Sequence, residues 1–261
     1  MNLFELFAKI DELDPESGER LSFYNRRHIL KNGAKATALA ALPTLFASVV
    51  NKAYGADLPT QTRGVLEYAL TLEYLEADYY MKGVQSGIIP QNQREVFETI
   101  SKHETAHVRL LEGALGLSAD AKKPKFTYAA YPDVFTNYQT FLVVSQSFED
   151  LGVRAYKNEA KNLMESPDLL QVALQIHAVE ARHAAVVRSI RGQKGWIVGN
   201  GMENGMAPAV PAIYEGELNT EQGGVELVGK IAGQDKNTLS EGFDEPLGKD
   251  QVLSIAKSFL A

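Results

Sequence analysis

Apolar residues recur at three- and four-residue steps through four consecutive segments, and this is the period of an amphipathic α-helix. The pattern predicts helices over about residues 60–86, 91–115, 133–165 and 168–191. Ser86-Gly87 and Pro90 separate the first two segments, and Ser166-Pro167 separates the last two. Because both breaks are short, each pair predicts a hairpin of antiparallel helices.

A longer connection, residues 116–132, separates the two predicted hairpins. The sequence therefore predicts an all-α protein, built on an antiparallel four-helix bundle with one crossover connection. We expect this bundle to occupy residues 58–191.

Six potential metal ligands lie in the middle of the apolar faces that these helices are predicted to bury: Glu73, Glu104, His107, Glu149, Glu180 and His183. The last three repeat the first three after a shift of 76 residues, so Glu followed by Glu-x-x-His occurs twice. The repeat extends to Tyr80 and Tyr156, which lie seven residues after the first glutamate of each half. A duplicated helical hairpin explains the pattern.

Four carboxylates that converge in a bundle core need a positive counter-charge. Without one, each carboxylate would cost several kcal/mol or become protonated. Two divalent metal ions would cancel all four charges. Neutral imidazole and carboxylate ligands suit iron or manganese, so the sequence predicts a dinuclear site for one of these metals.

With these residues, the sequence over about 60–191 resembles the ferritin-like superfamily of di-iron and di-manganese carboxylate proteins. The resemblance implies that Glu104 and Glu180 bridge two metals, each of which also takes one histidine and one terminal glutamate. It further implies that Tyr80 and Tyr156 hydrogen-bond ligand carboxylates. Glu76 is a competing ligand that ranks second, because its counterpart in the other half is Gly152.

A narrower resemblance involves residues 72–80 and 243–247, which are similar to the bacterial and plant ferritin-like branch of desiccation-related proteins. It implies a stress-protective structural or interaction protein in which the metal holds the bundle together.

A rival motif runs from His103 to His107 and matches H-E-x-x-H, the helix on which zinc proteases bind their metal. The second half has Val179 in place of His103, although it keeps both other residues. A zinc protease would also leave Glu73 and the second half of the repeat unexplained.

The composition excludes several classes of function. The chain has 261 residues, 45% of them hydrophobic, and its net charge of −7 gives no reason to expect a nucleic-acid partner. It contains no cysteine, so a cysteine-ligated iron centre within this chain is excluded. A redox cycle would need an external electron donor, or a substrate such as peroxide that both gives and takes electrons.

The first 57 residues resemble a twin-arginine export signal. Arg26-Arg27 is followed by Leu30-Lys31 and then by an apolar stretch over residues 34–50, which is too short for a permanent membrane span. We expect an extracytoplasmic, periplasmic protein. The alternative is a retained extension that packs on the bundle or on a partner.

Residues 192–261 predict a loop-rich tail, because Gly and Pro are frequent there, followed by a short helix over about 249–260. Such a tail does not resemble the fifth helix of cage-forming ferritins, although a homo-oligomer is compatible with it. The leading hypothesis is an exported dinuclear oxidoreductase that acts on peroxide or dioxygen, with catalase-like or ferroxidase-like chemistry.

Overall fold

A computed structural model of the chain describes residues 58–118, 122–201 and 211–261. The described part confirms the all-α four-helix bundle. Its helices are α1 (Thr60–Ser86), α2 (Gln91–Ala114), α3 (Tyr138–Glu159) and α4 (Pro167–Ile190). Helix α1 packs along α2 and α3 packs along α4, so each predicted hairpin forms.

Helix α3 is shorter than the apolar pattern predicts at both ends. It begins at Tyr138 because the Asn137 side chain caps it, accepting hydrogen bonds from the backbone N–H groups of Gln139 and Thr140. After Glu159 the chain tightens into a 3-10 helix over Ala160–Leu163. The apolar period extends beyond both ends of α3 because apolar residues on either side of the helix also face the core.

The two ends of the bundle core differ in composition. One end is packed mainly with aliphatic residues, among them Val65, Leu111 and Ile176. The other end holds a stack of buried rings with neighbouring centroids 5.0–6.3 Å apart: Tyr79, Tyr80, Phe97, Phe141 and Phe148. Gly83 makes this packing possible, because a Cβ at that position would lie 2.3 Å from the Phe141 ring.

The tail beyond α4 packs on the bundle. It contains a 3-10 helix at Pro211–Tyr214, a two-stranded antiparallel sheet and two helices. The strands are β1 (Glu221–Gln222) and β2 (Val225–Glu226), and the helices are α5 (Lys236–Ser240) and α6 (Lys249–Lys257). Helix α6 begins where the sequence predicts and ends three residues earlier. Phe259, two residues after the end of α6, packs at the aromatic end of the core.

Arg154 fastens the tail to the bundle. Its side chain is fully buried on α3 and forms an ion pair with Glu217 at 2.8 Å. Its guanidinium also donates hydrogen bonds to four backbone carbonyls of the tail: Ile213, Glu215, Glu245 and Pro246. Arginine suits this role because its planar group presents several donors in fixed directions.

The predicted export signal lies outside the described residues. Among the described helices, none combines the length and the apolar character required to cross a membrane.

Replacing Arg154 with methionine should lower the free energy of unfolding by about 3–5 kcal/mol, because it leaves the buried Glu217 without its ion-pair partner and four backbone carbonyls without a donor. Urea denaturation measures this loss, and limited proteolysis should show earlier cleavage within residues 213–246. Lys157→Met is the matched control, since Lys157 is exposed on the same helix, and it should change stability by less than about 0.5 kcal/mol. Equal stability of both variants would contradict the proposed role of Arg154.

Candidate metal centre

The four bundle helices bring all six predicted ligands together in the core. The four carboxylates of Glu73, Glu104, Glu149 and Glu180 are fully buried at 0% exposure, and His107 and His183 retain 8% and 4%. Helices α1 and α3 each supply one glutamate, while α2 and α4 each supply a Glu-x-x-His pair. In both pairs the three-residue spacing places the glutamate and the histidine on one face of the helix.

These residues form two overlapping groups, in each of which the potential ligand atoms lie within 4.8 Å of one another. The first group contains Glu73, Glu104, His107 and Glu180, and the second contains Glu104, Glu149, Glu180 and His183. Glu104 and Glu180 belong to both groups. This sharing is compatible with two adjacent metal sites that have two carboxylates in common.

The Nδ1 atoms of the histidines face the carboxylates. Nδ1 of His107 lies 3.2 Å from an oxygen of each of Glu73, Glu104 and Glu180. Nδ1 of His183 lies 2.9 Å from Glu104 Oε1 and 3.2 Å from Glu149 Oε2. One ring nitrogen carries at most one proton, so it cannot satisfy several carboxylates by hydrogen bonding.

Although some of these atoms lie close together, several of them make no hydrogen bond within the described residues. They are Glu104 Oε1, Glu149 Oε2, both carboxylate oxygens of Glu180, and His183 Nδ1. Buried polar atoms are rarely left without a partner, so these atoms indicate an additional group at this position. Ligands about 2.1 Å from an octahedral cation lie about 3 Å from one another, which matches the spacing here. The residues therefore fit a pair of metal ions.

Two tyrosines link the halves of the repeat. The Tyr80 hydroxyl donates a hydrogen bond to Glu149, and the Tyr156 hydroxyl donates one to Glu73. Each tyrosine thus contacts the carboxylate of the opposite half. The hydrogen bonds expected from the resemblance are present, and each leaves the other oxygen of its glutamate facing the histidines.

The pKa values of the cluster are shifted in the direction expected when buried carboxylates lack positive charge nearby. Burial raises the pKa of Glu73 to about 7, against the opposing effect of His107. Burial also raises the pKa of Glu180 well above its usual range, and the charge of Glu104 raises it further. Burial lowers the pKa of His183, but Glu149 and Glu104 outweigh that effect and raise it to about 11.

Glu104 is the exception among the carboxylates. Burial raises its pKa, but the imidazoles of His107 and His183 on either side outweigh burial and hold the pKa well below its usual range. The raised pKa values of Glu73, Glu180 and His183 favour protons on these groups. Metal ions at the same position would displace such protons.

The family model of the ferritin-like domain matches residues 61–193, which include all four bundle helices and the whole cluster. The chain belongs to the ferritin-like domain family. A comparison with curated proteins finds no match. Membership in the family agrees with a buried Glu and His cluster compatible with a dinuclear metal carboxylate protein.

His103 does not join His107 at a common metal position, as a zinc protease would require. Its Nδ1 lies 2.9 Å from Nε2 of His183, and the two rings stack with centroids 5.2 Å apart. Burial lowers the pKa of His103, and the charges of His183 and His107 lower it further. A hydrogen bond to the outer nitrogen of a metal-binding histidine fixes the orientation and tautomer of the ring.

The sequence does not predict the contact of His103 with His183, because the repeat does not duplicate His103. Glu76, which the sequence predicts to lie next to the metal ligands and ranks second as a ligand, is 3% exposed and lies beside the carboxylates of the cluster. Its counterpart Gly152 indicated that the two halves of the repeat differ at this position.

Substitutions of Glu104 and His103, which are neighbours on α2, should have different effects on metal binding. Glu104→Ala removes a shared carboxylate and should lower metal content below one ion per chain, as should Glu180→Ala. His103→Ala should keep about two ions per chain and weaken binding about 10–100-fold, because it removes only the support of His183. Elemental analysis and metal titration measure these outcomes.

Glu95→Ala is the control for these substitutions, since Glu95 is exposed on α2. Unchanged metal content in both glutamate variants would contradict the bridging assignment. Complete loss of metal in His103→Ala alone would restore the zinc-protease interpretation.

Proposed function

We propose that the protein is a dinuclear iron or manganese oxidoreductase that acts on peroxide or dioxygen, with catalase-like or ferroxidase-like chemistry. The observation that supports this most directly is the sharing of Glu104 and Glu180 between the two ligand groups. Two adjacent redox metals can exchange two electrons with a small substrate.

The chain's residues have distinct roles in this proposal. Glu104 and Glu180 would be shared by the two metals, while His107 with Glu73 and His183 with Glu149 would complete the two sites. Tyr156 and Tyr80 hold the terminal glutamates by hydrogen bonds, so that one oxygen of each carboxylate points inward. These supports limit the movement of the ligands during turnover.

Access to the centre restricts the substrate. The ligand carboxylates are fully buried, and the small remaining exposure belongs to the two histidines on α2 and α4. A substrate approaching along this face must be small, which favours peroxide or dioxygen over larger molecules. Since the chain lacks cysteine, electrons must come from the substrate itself or from an external donor.

The same enclosure favours a second candidate function, in which the metals only hold the bundle together in a stress-protective protein. A metal that is fully enclosed by side chains is typical of structural sites. This candidate predicts bound metal without turnover.

A direct assay separates the two functions. Protein purified from its native compartment should contain about two iron or manganese ions per chain and should consume peroxide or dioxygen. Elemental analysis and oxygen-electrode measurements on the same sample test this, with Glu104→Ala as the inactive control. Two metals without turnover would favour the protective role, and absence of metal would overturn both.

We also infer that the protein is exported to the periplasm. Support comes only from the sequence, in the Arg26-Arg27 pair and the short apolar stretch after it. Replacing both arginines with lysine should leave the protein in the cytoplasm, because twin-arginine export depends on the pair. Cell fractionation measures this, and unchanged periplasmic recovery of the double variant would contradict export by this route.

A further inference from the structure

A cleft lies between helices α3 and α4 and two segments of the tail, residues 195–197 and 241–244. Its volume is about 220 Å³, whereas one water molecule needs roughly 10–15 Å³. None of the described residues that line it belongs to the two ligand groups of the metal centre. The cleft is therefore a separate candidate site for a small molecule.

The floor of the cleft is polar. Arg188 and Asp150 form an ion pair there, with side chains 4% and 3% exposed. The Tyr214 hydroxyl donates a hydrogen bond to Asp150 Oδ2 at 2.6 Å. The Nε atom of Arg188, however, makes no hydrogen bond within the described residues. Buried donors are rarely left unpaired, so this guanidinium has a donor available for a further group.

Two aromatic side chains form the rim of the cleft. Trp196 is 53% exposed and Phe243 is 41% exposed, and both line the cleft. The indole N–H of Trp196 donates a hydrogen bond to Glu241 at 2.8 Å, which holds the ring in place. The rim therefore offers flat apolar surfaces on which a ligand can stack.

Asp244 adds an acceptor between the floor and the rim. It is half-buried and lines the cleft next to Phe243. Its carboxyl group accepts no hydrogen bond within the described residues, where only the charges of other groups act on it. A carboxyl group accepts a hydrogen bond from a hydroxyl in either protonation state. Asp244 is thus available to a ligand that carries hydroxyl groups.

The charges around the cleft favour a neutral ligand. Arg188 at the floor is paired with Asp150, and Lys194 beside the rim is paired with Glu241 at 2.8 Å. Neither basic group is free to neutralise an anionic ligand. Lys194 also lies 5.9 Å from the centre of the Trp196 ring, so it would repel a second cation placed on that ring.

We propose that this cleft binds a neutral carbohydrate. A sugar ring has an apolar face of C–H groups, which stacks on Trp196 and Phe243, and an edge of hydroxyl groups. The hydroxyls donate to Asp244 and accept from the Arg188 guanidinium. An apolar surface with a few convergent polar groups is the usual composition of a small-molecule site. This site does not depend on the metal centre or on its chemistry.

The test uses the fluorescence of Trp196, which is the only tryptophan in the chain. The purified full chain is titrated with D-glucose, N-acetyl-D-glucosamine and maltose, and calorimetry on the same samples gives the Kd. At least one of these sugars should change the emission saturably. Choline and inorganic phosphate are the cationic and anionic probes, and neither should give a saturable change.

Variants that keep Trp196 locate the binding. Asp244→Ala should raise the Kd about tenfold, because it removes the acceptor for a sugar hydroxyl. Asp244→Asn keeps an acceptor and should restore most of the affinity. Phe243→Ala should raise the Kd about threefold through loss of stacking. Asp250→Ala is the matched control, since Asp250 is exposed on α6 outside the cleft, and it should leave the Kd unchanged.

Two results would overturn the proposal. One is the absence of a saturable change with all three sugars in the unsubstituted protein, including the case in which choline or phosphate binds instead. The other is a Kd that is equal in Asp244→Ala, Phe243→Ala and Asp250→Ala, which would place the sugar elsewhere. Thermal denaturation of each variant shows that a change in Kd does not come from loss of the fold.

Discussion

Buried negative charge is the constraint on which the rest of this structure depends. Five glutamates with exposures of 0–3% converge in one bundle core, although carboxylates are normally kept in water. Burial raises the pKa of Glu180 well above its usual range, and the charges of Glu149 and Glu104 raise the pKa of His183 to about 11 against the effect of burial. Metal ions held by these residues would supply positive charge to the cluster, so metal binding would stabilise the folded bundle.

The surrounding packing holds this cluster in position. Aromatic rings fill one end of the bundle and include Tyr80, whose hydroxyl reaches Glu149. The other end is mainly aliphatic and includes Tyr156, whose hydroxyl reaches Glu73. Arg154 connects the same helix α3 to the tail. Support of this kind holds the side chains of the cluster in fixed positions.

The departures from the repeat are as informative as the repeat itself. The duplicated residues assemble the two matched ligand groups, whereas the unmatched ones make the groups inequivalent. His103 supports His183 with no counterpart at Val179, and Glu76 lies where its counterpart is Gly152. A symmetric arrangement of candidate ligands thus has asymmetric surroundings, so the two groups differ in the side chains that surround them.

The sequence by itself determined the four helices and the faces on which the ligands lie, because residue spacing along a helix decides which side chains share a face. It also indicated that the two halves form equivalent hairpins, since the candidate ligands recur at the same spacing in each half. The ends of α3 were wrong, because the apolar period does not show where the Asn137 cap begins the helix. Only the tertiary structure decided that each tyrosine bonds the opposite glutamate, that Glu76 reaches the centre, and that Arg154 holds the tail. These contacts join helices far apart in the chain, so they depend on the approach of packed surfaces, which local spacing does not specify.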